Sequence, residues 1–147
     1  MKTAIIYYSK HHGNTKKLLE AIAGEDEQLT LFDVTKDEIP ALEAYDRIGL
    51  ASSVYFSKYG RELLEFTKKF LPEGKPVFFI HTAGSPREKQ NSAAKTIAEA
   101  RNCECLGTCF CKGFDTFGPF RLIGGLAKGH PDEKDIKDAV NFYRNLR

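Results

Sequence analysis

Two stretches of this sequence concentrate side chains able to do chemistry. One is Ser9-Lys10-His11-His12-Gly13-Asn14-Thr15, where basic side chains stand beside short polar ones and a glycine. Lysine, imidazole, hydroxyl and amide groups all donate hydrogen bonds to an anion, and glycine lets a ligand approach the backbone closely. Two adjacent histidines do not readily point the same way, so one contact from His11 or His12 is expected. The other stretch is Cys103, Cys105, Cys109 and Cys111, a C-x-C-x3-C-x-C run. It offers four soft ligands, the number that zinc or an iron–sulfur cluster takes. On a regular strand these positions share one face, so the thiols would line one side and converge only through a bend, which Gly107 could supply. The spacing also departs from the C-x2-C of zinc fingers. Thiols packed as small hydrophobes are the plainer alternative.

The elements that must position the first stretch are legible on either side of it. Thr3-Ala4-Ile5-Ile6-Tyr7-Tyr8 is an almost unbroken apolar run of strand length, as expected of a strand buried on both faces. Residues 16–23 carry apolar side chains at Leu18, Leu19, Ile22 and Ala23, a helical spacing that Gly24 can stop. The loop therefore joins a buried strand to a helix N-terminus, which carries unpaired N–H groups and the positive end of the helix dipole. A phosphate fits such a place; an ordinary strand-to-helix turn with a polar cap is the alternative.

The chain has 147 residues, 41% hydrophobic and 29% charged, which suits one domain over 1–147 with one substantial core. No apolar run has the length of a membrane span. A strand beginning at residue 3 leaves no room for a signal peptide, and the expected location is cytoplasmic, where neighbouring cysteines stay thiols. A net charge of +2 is too mild for a nucleic-acid-binding surface.

Further along, residues 28–34 alternate as a strand. Residues 35–44 are polar and broken by Pro40, a loop or short helix. Residues 46–52 read as a third strand, followed by a loop over 53–60 that holds Tyr55, Phe56 and Tyr59. Residues 61–71 form a helix closed by Pro72. A fourth strand spans 75–82, where His81 has a structural role, and a turn of Ala83-Gly84-Ser85-Pro86 follows. A helix over 91–101 leads to a fifth strand over 103–111. Residues 112–131 show no periodicity, but combine glycines with Phe114, Phe117 and Phe120, so this long loop is expected to order beside a ligand or partner. The last helix starts at Asp132, with acids in its first turn and Arg144 and Arg147 at its end, as the helix dipole favours. Strands alternating with helices imply an α/β, doubly wound parallel sheet. Ligands then bind at the carboxyl ends of the strands near the switch point, where loops 9–15, 52–60 and 82–90 converge.

These residues resemble the flavodoxin family over nearly the whole chain. The likeness rests on the loop ending in Gly13-Asn14-Thr15, on a third strand running into Ser52-Ser53-Val54-Tyr55-Phe56, and on a fourth running into Thr82-Ala83-Gly84-Ser85. It implies a five-stranded parallel sheet of order 2-1-3-4-5 that binds FMN. The first loop (Ser9, Lys10, His11, His12, Gly13, Asn14, Thr15) would hold the phosphate. The second (Ser53, Val54, Tyr55, Phe56) and the third (Thr82, Ala83, Gly84, Ser85) would flank the isoalloxazine ring, with Tyr55 favoured for stacking. The loop has one residue more than the family's usual phosphate loop, and His12 stands where that loop has a threonine. The chain also lacks the acidity of shuttle flavodoxins. Lys10, His11, His12, Lys58, Arg61, Arg87 and Lys89 outnumber Glu62 and Glu88 around the three loops, which implies a less negative potential than an acidic shuttle has. The resemblance implies electron transfer or flavin-dependent reduction, with a redox partner protein or small-molecule electron acceptor, and with neither nucleic acid nor membrane as a partner. The rivals are a cysteine-based metal-binding or redox-sensing module and a cofactor-less binding module.

Overall fold

The computed structural model describes residues 1–10, 12–116 and 122–146; His11, Phe117, Phe120 and Arg147 lie outside them. The elements in order are β1 (Thr3–Tyr8), α1 (Asn14–Ala23), β2 (Leu29–Asp33), a 3₁₀ turn (Leu42–Ala44), β3 (Arg47–Tyr55), β4 (Lys58–Tyr59) and α2 (Arg61–Phe70). After these come β5 (Pro76–Ala83), a second 3₁₀ turn (Glu88–Asn91), α3 (Ser92–Ala100), β6 (Glu104–Lys112) and α4 (Glu133–Arg144). The sheet runs β2-β1-β3-β5-β6, all parallel, with the short β4 antiparallel to β3 off this path. With β4 set aside, this is the 2-1-3-4-5 order implied by the resemblance.

Each central strand is apolar on both faces because helices cover both. On one face Ala4, Ile6, Ile48, Leu50, Val54, Val77 and Phe79 pack with Leu63 of α2 and Ala94 and Ala98 of α3. On the other, Ile5, Tyr7, Ala51, Phe78 and Ile80 pack with Leu18, Leu19 and Ile22 of α1 and Ala139 and Tyr143 of α4. Burying such side chains contributes about 1.5–3 kcal/mol each before chain entropy is counted. The register Ile6↔Leu50↔Phe79 stacks the central layer and sets the carboxyl ends of β1, β3 and β5 side by side.

Three expectations need correction. The third strand does not stop at Ser52: it continues to Tyr55, so Ser53 and Val54 are strand residues, and the expected loop is a hairpin into β4. Its two turn residues, Phe56 (φ 48°) and Ser57 (φ 62°), are both left-handed. Such turns normally take Asn and Gly, so nothing in Phe-Ser signals this one. Bulky residues in that conformation cost about 1–2 kcal/mol each.

The cysteines, next, do not share a face. A bulge between Val77 and Phe78 pairs Val77 with Cys105 but Phe78 with Gly107. Skipping Leu106 reverses the alternation of β6. Cys103 and Cys105 pack on the α2–α3 face, Cys109 and Cys111 on the α1–α4 face. Finally, the stretch after β6 is not structureless. Gly113 N–H donates to Ala83 O (2.9 Å), Phe114 N–H to His130 O (2.8 Å), and Asp115 and Leu126 form a two-way antiparallel bridge.

Candidate functional site

The first turn of α1 has the backbone features that suit an anion. Gly13, its N-cap, is left-handed (φ 67°) and has no side chain to cap the helix, and no acid lies in the first turn. Ser9 Oγ accepts from the N–H of Lys16, the third residue of the helix (3.2 Å). A methyl group at Gly13 would meet nothing within 4 Å, so the space beside the loop is open. Unpaired N–H groups at the positive end of a helix dipole, with Lys10 and His12 exposed nearby, are the donor set a phosphate needs.

The side chains of the same motif do different work. Thr15 Oγ1 lies 2.8 Å from Thr82 Oγ1 and 3.2 Å from Ser53 Oγ, all three groups buried. This hydroxyl cluster locks α1 to the ends of β3 and β5. Asn14 also turns inward, its amide donating to Phe114 O (2.8 Å). Thr15, Ser53 and Thr82, drawn from three separate loops in the sequence, are thus brought together, but as wall rather than lining.

The second and third loops form the other end of the site. Tyr55 packs edge-on against Tyr8 (ring centroids 5.7 Å), and its hydroxyl lies against the Lys10 backbone, with Asp115 close by. Burial, reinforced by Tyr8 and Asp115, raises its pKa well above the usual tyrosine value. Phe56, at the hairpin tip, is 84% exposed. Val54 is buried in the core. Of the third loop, Thr82 and Gly84 are buried, Ala83 is half-buried and Ser85 is exposed. Asp115 and Leu126 close over Gly84, where a methyl would stand 2.7 Å from Leu126 Cδ2.

Behind these loops a buried imidazole joins them. His81 Nδ1 lies 2.9 Å from the Tyr59 hydroxyl and Nε2 lies 2.8 Å from Arg87 O. The ring stacks on Phe110 with centroids 5.3 Å apart. Burial lowers its pKa to about 4, against a small opposing effect of the Arg87 carbonyl, so it is neutral at physiological pH.

The arm after β6 closes against the β1–α1 loop. Phe114 stacks on His12 (4.5 Å), and His12 Nε2 lies 3.0 Å from Thr116 Oγ1. Phe114 stood out in the sequence as an aromatic in a glycine-rich loop. Thr116, Asp115 and the His81–Tyr59 pair carried no comparable signal, because their partners are distant in the chain.

The cysteines form no such site. Burial first, and then Asp138 and Asp135, push the Cys109 thiol up to about 11. Cys111 is raised further, by burial and then by Asp135 and Cys109. Cysteine pairs on opposite faces of the sheet do not converge on one metal ion. Among the described residues the one cluster with metal-ligand spacing is His130, Asp132 and Asp135. The capping box of α4 accounts for it: Asp135 N–H donates to Asp132 Oδ1 and Asp132 N–H to Asp135 Oδ2. A groove of about 770 Å³ lies elsewhere, between the β2–β3 connection and the end of α2, with Ile39, Leu42, Phe66 and Phe70 in its lining. It includes no residue of the three loops. Among the described residues no helix is long and apolar enough to cross a membrane.

Comparison with known proteins agrees with this architecture. An uncharacterised protein of Methanocaldococcus jannaschii is 36% identical over 99% of this chain and 98% of its own. A flavodoxin from the domain Archaea superposes with a TM-score of 0.70 at 17% identity, over 95% of this chain and 92% of its own. The general stress protein 14 of Treponema denticola, solved in complex with FMN, superposes with a TM-score of 0.69 at 11% identity, over all of both chains. The flavodoxin-domain family model matches residues 5–112, from inside β1 to the end of β6. That match spans most of the chain and contains all three loops, and the chain belongs to the flavodoxin family.

Proposed function

We propose that this protein binds FMN at the carboxyl edge of its sheet and uses it in electron transfer or flavin-dependent reduction, as one cytoplasmic domain. The observation that carries the reading is the acid-free N-terminus of α1, whose N-cap glycine supplies no side-chain bond, beside the open space at Gly13. The fold's ligand position, at the switch point next to β1, coincides with it. The FMN held by a structural relative supports the choice of flavin. When bound, FMN supplies the redox chemistry and the protein supplies binding and electrostatics.

The residues divide the task. Backbone N–H groups over Gly13–Thr15, with Lys10 and His12, hold the phosphate; Ser9 sets the loop's curvature. Thr15, Ser53 and Thr82 fix the depth of the floor. Tyr55, Phe56, Ala83 and Ser85 border the ring, with Phe56 offering an exposed aromatic face. Asn14 and Phe114 fasten the arm after β6 over the phosphate end, where it excludes water. The exposed side chain of Phe56 at the hairpin tip, two residues from Lys58, presents the mixed apolar and charged surface that a redox protein or a small electron acceptor would meet.

Reconstitution followed by absorbance and calorimetry tests this. The expected result is yellow protein with one FMN per chain, no comparable affinity for FAD, and weaker binding of riboflavin. Failure to take up FMN would leave the cofactor-less binding module. The metal or redox-sensing reading has against it the opposite faces of the two cysteine pairs.

A further inference from the structure

We propose that His81 is a positioning residue that sets the gap between the two loops bordering the flavin ring. The proposal rests on the flavin reading above. The hairpin carrying Tyr55 and Phe56 is joined to the sheet by two residue pairs, Val54↔Tyr59 and Tyr55↔Lys58. So short a ribbon does not hold its own angle. Among the described residues, the stretch after β5 has no strand partner beyond Ala83↔Lys112. One imidazole spans both. Tyr59, itself 2% exposed, reaches Nδ1, and the Arg87 carbonyl reaches Nε2.

The proton positions follow from the partners. A carbonyl only accepts, so Nε2 carries the hydrogen and donates to Arg87 O. Nδ1 is then an acceptor, and the Tyr59 hydroxyl donates a hydrogen bond to it. The ring is a neutral tautomer with both nitrogens used, pressed flat on Phe110 at an interplanar angle of 9°. The chain of bonds extends further on both sides. Arg87 N–H donates to Gln90 Oε1 and Gln90 Nε2 donates to Ser85 O, which fixes the third loop. Gly60 N–H donates to Ser52 Oγ (2.8 Å), which fixes the foot of the hairpin. His81 joins these two networks through its two ring nitrogens.

Three substitutions separate the links. His81→Asn keeps an acceptor near Nδ1 and loses the Arg87 bond. His81→Gln keeps a donor near Nε2 and loses the Tyr59 bond. His81→Phe keeps the stack on Phe110 and loses both. Amide exchange of the flavin-free proteins should rise at 84–88 in the Asn variant, at 55–59 in the Gln variant, and at both in the Phe variant. Riboflavin and FMN affinities should fall by the same factor, about tenfold in the Phe variant, since a hydrogen bond's worth of ordering is lost at the ring and none at the phosphate. The flavin's visible circular dichroism should change as well. Uniform exchange changes across the domain in the Asn and Gln variants, or riboflavin affinity unchanged in a folded Phe variant, would overturn the proposal. If the wild-type protein binds no flavin, the flavin reading fails, and the loop-selective exchange pattern still decides whether His81 spaces the loops.

Discussion

The two ends of the proposed flavin site are built on different principles. At the phosphate end, the β1–α1 loop offers backbone N–H groups and open space, and its last two side chains turn away: Thr15 into the Ser53–Thr82 cluster, Asn14 to Phe114. At the ring end, the β3–β4 hairpin and the β5 loop are defined by buried side chains, His81 and Tyr59, whose partners come from elsewhere in the chain. A phosphate is small, charged and satisfied by amides that any helix start supplies. A flat ring needs two walls at a fixed separation, and backbone alone does not set that.

The largest expected effect lies at the ring end. His81 has a native pKa of about 4 against an ordinary 6.5, because burial penalises its charged form. Between these values the unfolded chain binds a proton that the native protein does not. Stability contributed by the neutral ring is therefore complete above pH 6.5 and falls as pH drops towards 4, by roughly 3 kcal/mol. Urea unfolding between pH 4 and 8 measures this. The His81→Gln variant should lose that segment of the pH dependence, and a wild-type curve flat over this range would mean that His81 titrates normally.

Next in size is one substitution placed at both ends. In Gly60→Ala the new methyl stands 2.4 Å from the Tyr8 ring, overpacking worth about 1–3 kcal/mol of stability, and riboflavin and FMN should weaken together. In Gly13→Ala no atom is in the way. The left-handed backbone alone costs about 1 kcal/mol, and FMN should weaken more than riboflavin because only FMN uses that loop's amides. Denaturation midpoints and paired titrations check both variants. The reverse pattern would mean that the phosphate and ring ends have been exchanged.

Thr15→Val sharpens the same division. It leaves the Ser53 and Thr82 hydroxyls without their shared partner, at a cost of about 1–3 kcal/mol. FMN and riboflavin affinities should keep their ratio. A selective loss of FMN would show the Thr15 hydroxyl turning to the phosphate on binding, the role its place in the sequence motif suggests.

The smallest effect is electrostatic. Lys58→Glu and Arg87→Glu place negative charge on the exposed rim at the ring end. Each should make the flavin's midpoint potential more negative by roughly 10–30 mV, the scale of a screened Coulomb interaction near 10 Å in water, and the change should shrink with added salt. Lys16→Glu, one turn into α1 at the phosphate end, should change it less. Spectroelectrochemistry in low and high salt reads both.

Sequence by itself determined the layered architecture and the local shape of the β1–α1 loop, where the phosphate is proposed to bind. Continuous apolar runs at Ile5-Ile6 and Phe78-Phe79 require cover on both faces, and strands alternating with amphipathic helices supply it. A glycine between a buried strand and a helix start is a local feature, because the groups that bind are the helix's own N–H groups. Tertiary structure decided everything that depends on partners remote in the chain. The hairpin turn at Phe56-Ser57 is held despite its residues, since Tyr59 and Val54 are fixed by the core. The bulge at Leu106-Gly107 reversed the alternation of β6 and sent the cysteine pairs to opposite faces, a shift invisible to a period-two reading. The hydroxyls of Thr15, Ser53 and Thr82 meet only because the register of β1, β3 and β5 brings their carboxyl ends level, and a hydrogen bond of 2.8 Å requires a position that no spacing along the chain specifies.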